Sequence, residues 1–341
     1  MTPQGTTRGQ EPSSGQSTGE IVVTRFAPSP TGRLHLGHAF SALQAHDFAK
    51  VRGGRFLLRV EDIDGTRSRP DHVAGILEDL AWLGLGWDGE VLFQSQRLPL
   101  YGETLERLKR DGLLYPCFCT RKDIAASASA PHGPDGPVYP GTCRGLAADE
   151  RTRLRAEKPH AWRLDMAQAV ARTNSPPAFA GGAGGGPSFF DGEVLARVRS
   201  PHPQPLPEIR EGSLTWTDHA LSILADPAPF GDVVLARKDA PVSYHLAVTV
   251  DDAAQGITDV VRGEDLLPAT HIHRLLQALL GLRTPRYHHH PLITDADGRR
   301  FAKRSGAPAL ADLRAAGADP GEIVTALRKG LLPAGYSAAA T

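Results

Sequence analysis

The residues with the greatest chemical capacity lie in Arg25-Phe-Ala-Pro-Ser-Pro-Thr-Gly-Arg-Leu-His-Leu-Gly-His38. The apolar run Ile21–Phe26 stops at Pro28-Ser-Pro-Thr-Gly32 and helical spacing takes over, so a strand is expected to feed a helix here. The start of such a helix offers unpaired N–H groups and the positive end of its dipole, which together favour phosphate. His35 and His38 are three residues apart, on one face of a helical turn, and are placed to grip one phosphate chain. Gly37 between them lets a nucleotide approach the backbone closely. A second basic segment, Asp297-Gly-Arg-Arg-Phe-Ala-Lys-Arg-Ser-Gly306, puts Lys303 on a Gly-flanked loop, where a point charge can close over β- and γ-phosphates. Alone such a run reads as a solvated basic turn, and only its company with the histidine pair gives it the phosphate reading.

The chain has three cysteines, Cys117, Cys119 and Cys143, too few for a disulfide scaffold and consistent with a reducing compartment. Three thiolates close in sequence imply a tetrahedral zinc site that lacks one ligand, and His132 in the same loop is a chemically ordinary fourth. Without zinc they would be buried reduced thiols. His288, His289 and His290 do not read as a metal cluster, because neighbours on an extended chain point to opposite faces. The stretch Arg283–Arg304 holds six Lys/Arg against Asp295 and Asp297 and reads as a phosphate-contacting surface for RNA.

These groups need elements to hold them. After the first strand, helical spacing runs from about Leu34 to Val51, Phe56–Val60 reads as a second strand, and Glu61-Asp62-Ile63-Asp64 forms an acidic cluster at its end. Asp71 is expected to cap a helix carrying Val73, Ile76, Leu77 and Leu80, and Leu98–Arg110 reads as another helix. Alternating strands and helices predict an α/β fold with a parallel sheet. Strand-like runs return at Asp232–Arg237, Leu246–Val250 and Ile257–Val261, followed by a helix over Pro268–Leu280. The expected organisation is a disordered tail over 1–20, catalytic halves over 21–111 and 231–285, and a subdomain inserted over 112–230. Within that insertion 171–213 is low-complexity and flexible, and the signature-loop region, 286–320, is followed by a tail over 321–341.

Composition narrows the function classes. The 341 residues carry 38 Lys+Arg and 38 Asp+Glu, so any attraction to nucleic acid must be local. No apolar run approaches the roughly 20 residues of a bilayer span, and residues 1–20 contain no secretory signal, so a cytoplasmic protein with no membrane partner is expected.

The Phe26-Ala-Pro-Ser-Pro-Thr-Gly32 and His35-Leu-Gly-His38 segments resemble the signature of class I aminoacyl-tRNA synthetases, in the form used by the glutamyl branch. The resemblance implies a Rossmann-like catalytic domain that activates glutamate with ATP and Mg2+ to glutamyl-adenylate, His35, His38 and Lys303 acting by position and charge. The Lys303 loop is similar to the second signature, K-M-S-K-S, with Arg300, Phe301, Ala302, Lys303 and Arg304 in its five positions; only Lys303 matches outright. By the same resemblance, Arg25 and Arg262 meet the carboxylates of L-glutamate and Glu61 its ammonium. Tyr244 adds a hydroxyl, and Phe26, Ala27, Pro28 and Ser29 close the pocket. The family also implies Tyr139 as the fourth ligand of one structural Zn2+, with His132 the competing candidate.

Only 38 residues follow Lys303 (341 minus 303), from which no anticodon-binding domain is expected. That end and the Cys-x-Cys…Tyr-x-x-x-Cys block are similar to the glutamyl-Q tRNA(Asp) synthetases. Those enzymes transfer glutamate to queuosine in the anticodon stem-loop of tRNA(Asp), and a monomer is expected. The alternatives are a truncated glutamyl-tRNA synthetase charging a tRNA 3′ end and a non-catalytic, zinc-stapled RNA-binding paralogue.

Overall fold

The computed structural model describes residues 20–126, 132–133, 136–174, 214–293 and 308–333. The readings placed on residues 1–19, on 175–213 and on the loop with Lys303 lie outside the described residues, as does the side chain of His132.

Strand β1 (Val23–Phe26) runs into helix α1 (Leu36–Lys50), and β2 (Arg55–Val60) returns parallel to β1 with Arg25 opposite Leu57. Helix α2 (Pro70–Trp82) leads to the short parallel strand β3 (Leu92–Phe93), and α3 (Leu98–Arg110) follows. Side chains alternate across this sheet. Val23 and Leu57 enter one apolar core, shared with α3, and Phe26, Phe56 and Leu58 enter a second beneath α1 and α2. A parallel sheet covered on both faces explains why Phe56, Leu57 and Leu58 follow one another without polar alternation. Helix α2 begins two residues earlier than a cap at Asp71 implied: Arg69 is the N-cap, Pro70 takes the first position, where its missing N–H costs nothing, and Asp71 is inside the helix.

The inserted region is built on an antiparallel sheet. Strand β4 (Leu114–Cys117) is followed by α4 (Arg121–Ala126), the β5–β6 ribbon (His132–Gly133, Gly136–Pro137) and α5 (Ala148–Glu157). Strand β7 (Ala161–Leu164) pairs with β4, and α6 (Met166–Asn174) follows, so residues 171–174 are helical. The hairpin β8 (Thr215–Asp218) and β9 (Leu221–Leu224) falls inside the 112–230 span, yet joins the other parallel sheet through Asp218 opposite Tyr287. Conversely β10 (Val234–Ala236), beyond residue 230, pairs with β7.

Residues 246–250, expected as a strand, lie in helix α7 (Tyr244–Ala254). Leu246, Ala247, Val248, Thr249 and Val250 are all buried, so the helix is apolar on every side and its run carries no 3.6-residue signal. Strand β11 (Asp259–Gly263), helix α8 (Leu267–Leu280) and strand β12 (Arg286–His290) form the second βαβ unit, with Arg262 opposite His289. Thr258 N–H donates to Val23 O at 3.0 Å, so the two parallel sheets adjoin at β1 and β11. The chain leaves β1 toward β2 on one side and β11 toward β12 on the other, which opens a crevice at the carboxyl ends of these strands. Helices α9 (Leu310–Ala315) and α10 (Pro320–Arg328) close the far side, and Arg328 pairs with Asp47 of α1 at 2.8 Å. Glu20, expected in the disordered tail, pairs with Arg283. No helix among the described residues is long and apolar enough to cross a membrane.

Helix α7 ends in Asp251 and Asp252, both unfavourable beside its negative dipole end. Asp251 is fully buried and accepts from Gln94 Nε2 at 2.8 Å, Arg97 Nε at 2.7 Å and Tyr101 OH at 2.7 Å, which ties α7 to α3. Asp251→Ala removes the partner of three donors, and is expected to destabilise the fold by about 3–5 kcal/mol. A lowered urea midpoint checks this.

Candidate active site

The crevice between β1 and β11 holds a cavity of about 490 Å³. Arg25, Phe26, Ala27, Pro28, Ser29, His35, Gly37, His38, Glu61, Tyr244 and Arg262 all line it. Every residue expected at the nucleotide and glutamate sites is thus gathered there except Lys303, which lies outside the described residues. Gly263 ends β11 at the rim, where a Cβ would meet Asp265 Oδ1 at 2.5 Å and Leu292 Cδ2 at 2.8 Å.

His35 is the N-cap of α1: its Nδ1 accepts from Gly37 N–H at 3.1 Å, and His38 Nδ1 accepts from His35 N–H at 3.2 Å. A backbone N–H can only donate, so in each ring Nδ1 is the acceptor and the proton of the neutral ring sits on Nε2. The rings lie against each other with centroids 3.8 Å apart. The sequence spacing placed both histidines on one face; the reciprocal cap that sets their tautomers is an additional result.

The charged groups divide into two sets. Asp252, lowered from the usual carboxylate pKa against its burial by Arg25 and Arg59, accepts from Arg25 Nε at 3.0 Å and Arg59 Nη2 at 2.6 Å. Burial raises Glu61 to about pH 7, although Arg59 and Arg25 pull the other way. Arg262, 4% exposed, donates to His289 Nε2 at 3.2 Å, Tyr244 OH at 3.4 Å, Leu266 O at 3.1 Å and Thr270 Oγ1 at 2.6 Å. Arg25 is therefore neutralised internally, whereas Arg262 is held by neutral acceptors.

A separate cluster forms in the inserted region. The thiols of Cys117, Cys119 and Cys143 lie within 4.8 Å of one another, the only such group of metal-capable side chains found among the described residues. Cys119 and Cys143 Sγ are 3.6 Å apart, close to the about 3.8 Å that 2.3 Å zinc–sulfur bonds impose in a tetrahedron. Tyr139 OH is 3.5 Å from Cys119 Sγ, and Phe118 N–H donates to Cys143 Sγ at 3.5 Å, the type of outer contact that steadies a thiolate ligand. Lys238 Nζ clamps the carbonyls of Phe118 and Cys119 at 2.9 and 3.1 Å.

The three consecutive histidines diverge as a strand requires. His288 Nε2 meets Asp259 at 2.9 Å, His289 Nδ1 meets Asp218 at 3.1 Å and His290 Nε2 meets Ser41 at 3.2 Å. Of the run expected to face RNA, Arg286 is paired with Asp259 at 2.7 Å and Arg283 with Glu20; Arg299, Arg300, Lys303 and Arg304 lie outside the described residues. Sequence reading missed Asp252, Thr270, His273 and His289 around the two arginines. The visible signal was slight: two adjacent acids closing an apolar run.

The family model for the catalytic domain of class I tRNA synthetases (E and Q) matches residues 21–175 and 206–339. A glutamyl-Q tRNA(Asp) synthetase of Rhodobacter capsulatus is 49% identical over 307 residues, covering 89% of this chain and 98% of that protein. The chain belongs to the glutamyl-Q tRNA(Asp) synthetase family. It is accordingly a ligase with a class I catalytic domain. A family member from Nocardia farcinica is 42% identical over 90% of this chain and 84% of its own length. The crystal structure of a glutamate-tRNA synthetase from Elizabethkingia anophelis superposes with a TM-score of 0.62 at 27% identity, covering 84% of this chain. The chain spans about half of that synthetase, 53% of its length.

The raised pKa of Glu61 has opposite effects on binding and folding. Its folded value of about 7 lies above the ordinary 4.5, so stability falls as pH rises from 4.5 to 7 and stays reduced above that. Binding a cationic ammonium needs the ionised form. The KM for an amino-acid substrate is expected to rise about fivefold between pH 7 and pH 6. In Glu61→Gln the KM should be high at every pH, while the melting temperature at pH 8 exceeds that of the wild type.

Proposed function

We propose that this chain activates L-glutamate with ATP in the absence of tRNA and transfers the glutamyl group to queuosine at the wobble position of tRNA(Asp). The observation that carries this reading is the single cavity in which the His35–His38 cap adjoins Arg25, Glu61 and Arg262. Two cations and one anion complement the two carboxylates and one ammonium of glutamate. The side-chain carboxylate lies against Arg262 and Tyr244 with Arg25 alongside, the ammonium faces Glu61, and Phe26–Ser29 wall the pocket.

ATP binds with its phosphates at the α1 N-terminus. A glutamate α-carboxylate oxygen forms a bond to the α-phosphorus as the bond to the β-phosphate oxygen breaks, and pyrophosphate leaves with Mg2+. The Nε2–H groups of His35 and His38 meet the charge that develops on the phosphates, and Lys303 is assigned to the departing pyrophosphate. A hydroxyl of the queuosine cyclopentene-diol then attacks the glutamyl carbonyl, the bond from that carbonyl carbon to the AMP phosphate oxygen breaks, the hydroxyl proton leaves with AMP, and an ester results. No protein nucleophile takes part.

One structural Zn2+ per chain is assigned to Cys117, Cys119, Cys143 and Tyr139. The thiol spacing and the Phe118 N–H contact support this set. Held by these residues, a zinc ion would tie β4 to the loop carrying Tyr139 and Cys143, and each chain should hold about one equivalent of zinc. Cys143→Ser should lose the zinc and lower the melting temperature, measured by elemental analysis and thermal unfolding, with Tyr139→Phe the milder change.

The transfer step is tested by labelled glutamate with queuosine-containing and queuosine-lacking tRNA(Asp). Label is expected only on the former, and should survive removal of its 3′ terminal adenosine. Equal labelling of the two would overturn the queuosine assignment.

A further inference from the structure

Arg262 is a buried cation whose charge no carboxylate among the described residues pairs with. Its contacts are His289 Nε2, Thr270 Oγ1, Tyr244 OH, the Leu266 carbonyl and, at 3.5 Å, His273 Nδ1. Among the described residues, no carboxylate lies within 4.0 Å of it. Arg25 and Arg59, by contrast, share Asp252. Burying an unpaired charge is costly unless a counter-ion arrives, so this arrangement reserves Arg262 for an anion that enters the cavity.

The group that makes the reservation is His289. Asp218, on β8, accepts from His289 N–H through Oδ1 and from ring Nδ1 through Oδ2, each at 3.1 Å. A carboxylate accepts, so Nδ1 carries the proton and Nε2 presents its lone pair to Arg262 Nε–H at 3.2 Å. The Tyr287 ring lies parallel to the imidazole, 5° between planes, and helps to hold its orientation. Burial and the Arg262 charge lower the His289 pKa to about 4, so the ring is neutral at neutral pH.

We propose that His289 is a positioning residue that sets the selectivity of this pocket for an anionic amino-acid side chain. It orients the Arg262 guanidinium through a neutral acceptor and leaves the positive charge for the substrate carboxylate. This deepens the glutamate reading above and rests on it. A carboxylate in the same place would orient Arg262 equally well but would cancel the charge.

His289→Gln and His289→Glu separate these effects, because they place the same acceptor oxygen at the same reach and differ by one charge. In ATP–pyrophosphate exchange with the full chain, His289→Glu should raise the glutamate KM at least about hundredfold over wild type and reduce the preference for glutamate over glutamine at least tenfold. The ATP KM should stay within about twofold. His289→Gln should restore most of the glutamate affinity and the preference. Equal glutamate KM values in the two folded variants would overturn the proposal.

If His289→Glu does not fold, by circular dichroism, Asp218→Asn decides. The amide no longer fixes the Nδ1–H tautomer, and the glutamate KM should rise at least tenfold with the ATP KM unchanged; a wild-type glutamate KM would overturn the proposal. Failure of the wild-type chain to exchange with glutamate would overturn the glutamate reading itself.

Discussion

The arrangement of the crevice depends on one buried carboxylate. Asp252 stands at the end of α7 and draws in Arg25 from β1 and Arg59 from β2, with side-chain exposures of 9%, 5% and 0%. The distances in sequence, 227 and 193 residues, mean that this ion triad joins the two halves of the catalytic domain across the insertion. It also sets the position of Arg25 at the cavity wall. Arg59 Nη1 reaches Gln255 at 2.9 Å, which fixes the chain just beyond α7. Removing the carboxylate would take away the one acceptor that both buried guanidinium groups share and leave them only the more distant charge of Glu61, a costly arrangement.

From that triad the charge of the pocket follows. Arg25 and Arg59 are balanced by Asp252 and ionised Glu61, and Arg262 remains as one positive charge. Glutamate at neutral pH carries one net negative charge and glutamine carries none. On the proposed glutamate reading, the cavity distinguishes the two by net charge as well as by hydrogen bonding. The histidine cap of α1 solves a different problem with backbone geometry. Helix start and ring tautomer are settled by the same two rings.

Legibility in the sequence followed the range of the interaction. The strand–loop–helix of residues 21–50, the helix over Leu98–Arg110 and the cysteine block were readable because spacing over a few residues determines them. The family resemblance supplied Glu61, Tyr244 and Arg262, which spacing alone could not join. Helix α7 was misread because burial on all sides erases periodicity, and Asp252 and His289 were invisible because their partners lie far along the chain. The β8–β9 hairpin crossing into the β12 sheet has the same cause: a strand's partner is not written in its own alternation.

If the cavity selects glutamate, it does so because its balance of buried charge calls for an anionic side chain. ATP–pyrophosphate exchange by the wild-type chain without tRNA, compared between glutamate and glutamine, tests it most directly. Ready exchange with glutamate is expected, with a specificity constant at least about a thousandfold lower for glutamine. Comparable exchange with both amino acids, or exchange with neither, would contradict it.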